Sequence, residues 1–131
     1  MSVDNKVEQE TVTPEQVCKL VEKSLDDHKA IDRVTLDIRG LTDIADYMVI
    51  ASGGSGRQVK ALANYLLEEA KKAGCPVISV EGRDQSEWVL VDLVDVVVHI
   101  MLPESRDLYR LEDIWSQPAG SMASPSDPAE Q

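Results

Sequence analysis

Basic residues are scarce in this chain. It carries 13 Lys and Arg against 24 Asp and Glu, a formal net charge of −11. Binding to a phosphate backbone relies on clustered cations that release counterions, so direct nucleic-acid recognition is excluded and the large partner this charge suits is a basic protein. The excess of acid persists when residues 1–13 and 117–131 are set aside, so it belongs to the domain itself. Long apolar runs are also absent: none approaches the ~20 residues that span a bilayer. The opening stretch MSVDNKVEQE has neither the apolar core of a signal peptide nor the Arg-rich pattern of a transit peptide. A soluble protein of a reducing, bacterial-type cytoplasm is the expectation.

Cysteine and histidine number two each. Cys18 and Cys75 stand outside any CxxC-type spacing and read as buried free thiols. His28 and His99 are too far apart to suggest a metal site, and no Ser or Cys sits in a recognisable nucleophile setting. Neither metal nor cofactor is expected.

What the chain does contain is one domain's worth of alternating elements. Residues 1–12 read as a flexible lead, 13–115 as the folded domain, and 116–131, rich in Pro, Ala, Ser and Gly, as a disordered tail. Thr13, Pro14 and Gln16 form the start signature of a helix over 13–29, whose apolar face is Val17, Leu20, Val21, Ser24, Leu25 and His28. His28 reads as a last-turn residue suited to the helix dipole. Alternation over 33–38 predicts a half-covered outer strand with Val34, Leu36 and Ile38 inward and Thr35 and Asp37 outward. Residues 46–51, apolar on both faces, read as a central strand.

Ser52-Gly-Gly-Ser-Gly-Arg57 follows, a glycine-rich turn between strand and helix. Its spacing matches neither GxGxxG nor GxxxxGK[ST], and no pair of alternating acids follows on the next strand as a nucleotidyltransferase would need. The turn therefore reads as an N-cap at Ser55 with glycines that let the chain bend tightly into a helix over 55–73. Gly74 and Pro76 stop that helix. A strand at 77–80 is then expected as the parallel neighbour of 46–51, reached by a right-handed crossover.

The most structured stretch is 76–115. Trp88–Asp92 and Val96–Met101 read as an antiparallel hairpin with a two-residue loop, which puts Trp88, Leu90, Asp92, Val97, His99 and Met101 on one face. A closing helix over 104–115 is predicted to pack through Leu108, Leu111 and Trp115, leaving Tyr109 exposed. The sum is a mixed α/β fold with a single sheet of five strands.

Asp46-Tyr47, Gly53–Val59, Glu81-Gly82, Trp88–Asp92, Val98-His99, and Ser105-Arg106 through Tyr109–Glu112 with Trp115 occur in an order that resembles the ribosomal silencing factor (Iojap-like) family. The resemblance runs from about residue 14 to Trp115. It implies a nucleotidyltransferase-like fold without the catalytic carboxylates, and a non-enzymatic translation repressor that binds the large ribosomal subunit through ribosomal protein fourteen and blocks joining of the small subunit. The partner-binding residues it points to are Trp88, Asp92, His99, Arg106 and Tyr109. Two positions depart from the family's usual pattern. Val94 stands where glycine is usual before the aspartate of the hairpin loop, and Met48 where a larger aromatic is favoured.

Two other readings follow from the residues. Asp92 and His99, with Glu81, could act as acid and base on a nucleotide held by the Gly53–Gly56 turn. A homodimer through the hairpin edge or its apolar face is the third.

Overall fold

A capping box opens the first helix, α1 (Pro14–Asp27). The Gln16 N–H donates to Thr13 Oγ1 at 3.1 Å and the Thr13 N–H to Gln16 Oε1 at 2.9 Å, so two amides that the helix leaves orphaned are satisfied. The computed structural model describes residues 12–110. Within that span follow β1 (Ile31–Asp37), β2 (Tyr47–Ser52), helix α2 (Gly56–Lys72), β3 (Ser79–Glu81), β4 (Trp88–Asp92), β5 (Val96–Met101) and helix α3 (Pro103–Tyr109). The predicted ends 1–11 and 111–131 lie outside the described residues.

The five strands form one mixed sheet in the order β1-β2-β5-β4-β3. β2 pairs parallel with β5 and antiparallel with β1, while β4 pairs antiparallel with both β5 and β3. The expected adjacency of 46–51 and 77–80 is therefore wrong. The two run in the same direction, but β5 and β4 lie between them. The reason is burial: β5 is apolar on both faces and needs a neighbour on each side, whereas β3 is three residues long, only partly covered, and falls to the edge. It also starts later than predicted, leaving Val77 and Ile78 exposed.

Both long helices cover one face of this sheet. Val17, Val21 and Leu25 of α1 and Val59, Leu62 and Leu66 of α2 meet Val49, Ala51, Val89, Val91, Val98 and Ile100, nearly all without solvent contact. Each such side chain contributes about 1.5–3 kcal/mol by leaving water. Cys18 and Cys75 are buried free thiols, as expected, and burial pushes the Cys18 thiol up to about 11. The Gly74 turn that ends α2 has both bonds of a Schellman cap, Cys75 N–H to Ala70 O at 2.9 Å and Gly74 N–H to Lys71 O at 3.2 Å, with Gly74 at φ +79°.

The alternation of β1 holds, with Leu36 and Ile38 packed and Asp37 exposed, but its apolar side is turned away from α1. Thr35 donates to Glu22 at 2.6 Å and Arg33 to Asp26 at 2.9 Å, so the polar residues of β1 face α1. Leu36 and Ile38 instead join Ala45, Met48, Ile50 and Met101 in a smaller cluster on the opposite face. This edge strand meets the acidic flank of α1 and not its apolar stripe, and alternation alone does not say which face of the sheet the apolar side joins.

The closing helix is also shorter than predicted. Arg110 ends it in the left-handed conformation (φ 53°, ψ 48°), its N–H on Arg106 O at 2.8 Å. Leu108, placed on the packing stripe by periodicity, is 74% exposed, and Arg106 is the buried residue of this helix at 8%. Leu111 and Trp115 lie outside the described residues.

Candidate docking face

The face of the sheet turned away from α1 and α2 is built by alternate residues of five strands. The hairpin register, Trp88 opposite Met101, Leu90 opposite His99 and Asp92 opposite Val97, sets six side chains on it, and the parallel pairing adds Met48, Ile50 and Ser52. Met101, Ile50 and Met48 are buried, whereas Trp88, Leu90, Asp92 and Val97 are half-exposed.

Trp88 and His99 are diagonal neighbours across the hairpin. The indole Nε1–H donates to His99 Nδ1 at 2.8 Å, with ring centroids 5.8 Å apart and planes inclined at 47°. His99 is 8% exposed, and burial pushes its pKa down to about 4. It is thus neutral at physiological pH, and with Nδ1 accepting, its ring proton sits on Nε2. The indole N–H and the buried imidazole nitrogen thereby satisfy each other.

Asp92 does a different job. Its Oδ1 accepts the Val94 N–H at 3.0 Å, and the Asp95 N–H donates to Leu93 O at 2.9 Å across Val94, which has φ +73°. Leu93-Val94-Asp95 is a γ-turn of the strained kind, whose central residue sits near φ of about +75°. The strain is held in place from outside: Asp95 O accepts from both Asp46 N (2.8 Å) and Tyr47 N (3.1 Å) at the start of β2. Asp92 therefore ties the hairpin turn at one end of the face, while Trp88 stands at the other.

Arg106 is turned inward. Its Nη1 donates to Ser52 Oγ at 3.2 Å, which seats α3 on the end of β2. Expected among the partner-binding residues, Arg106 is 8% exposed and its bond to Ser52 helps to hold the helix. Tyr109 is the last residue of α3. A cleft of about 630 Å³ opens between α3 and the first residues of β1, with Arg33, Ser52, Arg106 and Asp107 on its walls. Arg33 is committed there to Asp26 and Glu22.

At the glycine turn, Ser55 caps α2 by accepting the Gln58 N–H at 3.2 Å. The Gly53 N–H goes to Met101 O (3.1 Å) and the Gly54 N–H to Gln58 Oε1 (2.6 Å), so two of the amides that would cradle a phosphate already have partners. Gly53 is required for packing: a Cβ there would stand 2.8 Å from the Val59 backbone nitrogen. Among the described residues no cluster of His, Cys, Asp and Glu could hold a metal ion, and no helix is long and apolar enough to cross a membrane.

Sequence reasoning missed two features of this face. The turn role of Asp92 was hidden because an aspartate two residues before a strained position is a local cue, easily masked by its place on a candidate surface. The inward Arg106 was hidden because charge normally signals exposure.

The chain is thus a mixed α/β protein, a single five-stranded sheet with both long helices on one side and a tryptophan-bearing face on the other. The family model described as "Ribosomal silencing factor during starvation" matches residues 11–131. The chain is 44% identical over 109 residues to a protein of Chromobacterium violaceum named ribosomal silencing factor RsfS, covering 83% of this chain and 89% of that one. A crystal structure of a Chromobacterium violaceum protein superposes with a TM-score of 0.79 at 41% identity, over 90% of this chain and 94% of the other. One from Bacillus halodurans gives 0.71 at 37%, over 77% and 94%. The chain belongs to the ribosomal silencing factor family.

Proposed function

We propose that this protein represses translation in the cytoplasm, without catalysis, by binding ribosomal protein fourteen of the large ribosomal subunit and keeping the small subunit from joining. The observation that carries this reading is the sheet face turned away from the helices, with half-exposed Trp88 bonded at one end of it to His99. A large aromatic ringed by polar groups is the usual anchor of a protein interface. The net charge of −11 speeds encounter with a basic protein and disfavours bare RNA. Tyr109, at the end of α3, is the second proposed anchor, and Asp92 and Arg106 support the face through the hairpin turn and the helix seat.

Co-sedimentation with separated ribosomal subunits tests it. The parent protein should travel with large subunits and block their joining. Trp88→Ala and Tyr109→Ala, checked for folding by circular dichroism, should each weaken binding by about 2 kcal/mol or more, roughly thirtyfold. Undiminished binding by both folded variants would show that this face is not the site. A nucleotide site at Gly53–Gly56 predicts instead that ATP, GTP or CTP raises the melting temperature by mass action, and that Gly54→Ala abolishes the rise.

A further inference from the structure

We infer that the end of the sheet at which β2 and β5 begin is a contact surface for a basic segment of a protein partner, one that sets an aliphatic side chain among lysines or arginines. That role rests on the reading of the chain as a large-subunit docking protein. Two loops meet at this end. Residues 38–46 close on themselves, with the Ile38 N–H on Asp46 O at 3.0 Å, the Leu41 N–H on Ile38 O at 3.0 Å and the Ile44 N–H on Thr42 Oγ1 at 3.2 Å. The Asp95 carbonyl, which takes the Asp46 and Tyr47 amides, joins this loop to the hairpin turn. What the tied backbone presents is apolar: Ile44 is 72% exposed, Val94 41% and Leu41 38%, and none of them belongs to either apolar cluster. Aliphatic groups held together in water by a fixed backbone mark a contact site. Val94 adds an independent sign. A β-branched residue at φ +73° is strained where glycine would not be, and strain kept at one position points to a use for its side chain, here the tip of the hairpin.

Charge identifies the partner. Asp43, Asp46 and Asp95 stand in the same two loops, and among the described residues their carboxylates have neither a hydrogen bond nor an ion pair. Arg39, in the same loop as Asp43, is taken by Asp37 at 2.6 Å and Glu15 at 3.6 Å. The three carboxylates do not converge on a point either, since no group of ligating side chains among the described residues could hold a metal ion. They suit cations spread over a protein surface, and they repel the phosphates of RNA.

Co-sedimentation of the full chain with large subunits over a range of salt tests this, each variant being checked for folding by circular dichroism. Ile44→Ser, a change at an open side chain, should weaken binding about tenfold, and Val94→Gly about threefold. Asp43→Asn, Asp46→Asn and Asp95→Asn combined should weaken binding about tenfold at low salt and flatten its decline as salt rises, whereas Glu68→Gln, Glu81→Gln and Asp84→Asn combined, the same charge removed elsewhere, should stay within about twofold of the parent. Parental binding by both Ile44→Ser and the triple aspartate variant would overturn the inference, as would equal losses from the two triple variants, which would leave only net charge. Sedimentation velocity covers the remaining occupant: pairing of copies that Ile44→Ser abolishes, with large-subunit binding unchanged, would assign the surface to a second copy and overturn it too. If the parent does not travel with large subunits, the docking reading and this surface fall together. If Trp88→Ala weakens binding while Ile44→Ser does not, only this surface falls.

Discussion

The two faces of the sheet are made by the same strands, residue by residue in alternation, yet they differ in kind. On the helix side Val89, Val91, Val96, Val98 and Ile100 are fully buried and packed in one apolar cluster. On the open side the intervening positions hold half-covered Trp88, Leu90, Asp92 and Val97 and buried His99, with Trp88 bonded to His99 and Asp92 to the hairpin turn. The first face is held by area and shape, which tolerate no charge. The second carries a few directed bonds, which fix where an aromatic ring points. The two kinds of surface are thus separated by a single residue of register.

Substitutions can press on either side of that division. Leu66→Ala, on α2 beneath the covered face, should cost 2–5 kcal/mol by leaving a cavity, seen as a lower denaturant midpoint, and should affect ribosome binding only through the unfolded fraction. If it weakened binding of the folded protein directly, the faces would not be independent. Acidification tests the open side. The folded-state pKa of His99 lies at about 4 against 6.5 for an ordinary histidine, so between these values the unfolded chain binds the extra proton. Stability should therefore be intact above pH 6.5 and fall by about 3 kcal/mol as the pH drops towards 4, and His99→Asn should remove that part of the pH dependence.

A smaller effect is expected at the glycine turn, where Ser55→Ala removes the α2 cap and should cost about 1 kcal/mol in melting experiments with ribosome binding intact. The smallest concerns the hairpin turn. Val94→Gly relieves a β-branched residue at φ +73° and adds backbone freedom to the unfolded chain, two opposed terms whose balance should raise stability by less than about 1 kcal/mol. A fall in melting temperature would show that Asp92 and the Asp95 carbonyl already absorb the strain.

Much of this was legible from sequence because local rules and packing agreed. Thr13 to Gln16, the stripe of α2, the Gly74 stop and the hairpin parity each rest on contacts a few residues apart. Strand order was not legible, since nothing local in Val77–Val80 says that Val96–Met101 is a better partner for β2. Which face of the sheet the apolar side of β1 joins was not legible for a related reason: Thr35 and Arg33 answer to Glu22 and Asp26, residues on a helix edge whose position depends on how α1 lies across the sheet. At the candidate site, parity brought Trp88 and His99 to one face, and only coordinates could show that they bond to each other.

The place of β5 also constrains how the chain can be made. Its parallel pairing joins residues 47–52 to residues 96–101, so the centre of the sheet closes only after some fifty intervening residues exist. The β4–β5 hairpin can form from local contacts as soon as both strands are present, whereas the β2–β5 ladder bears the entropy of closing that long loop. Until Val96–Met101 has left the synthesis machinery, β2 has an edge strand on one side and no partner on the other. A chain stalled before residue 96 would hold Tyr47–Ser52 as an open, strongly apolar edge, the kind of segment that pairs with other chains when its own partner is late.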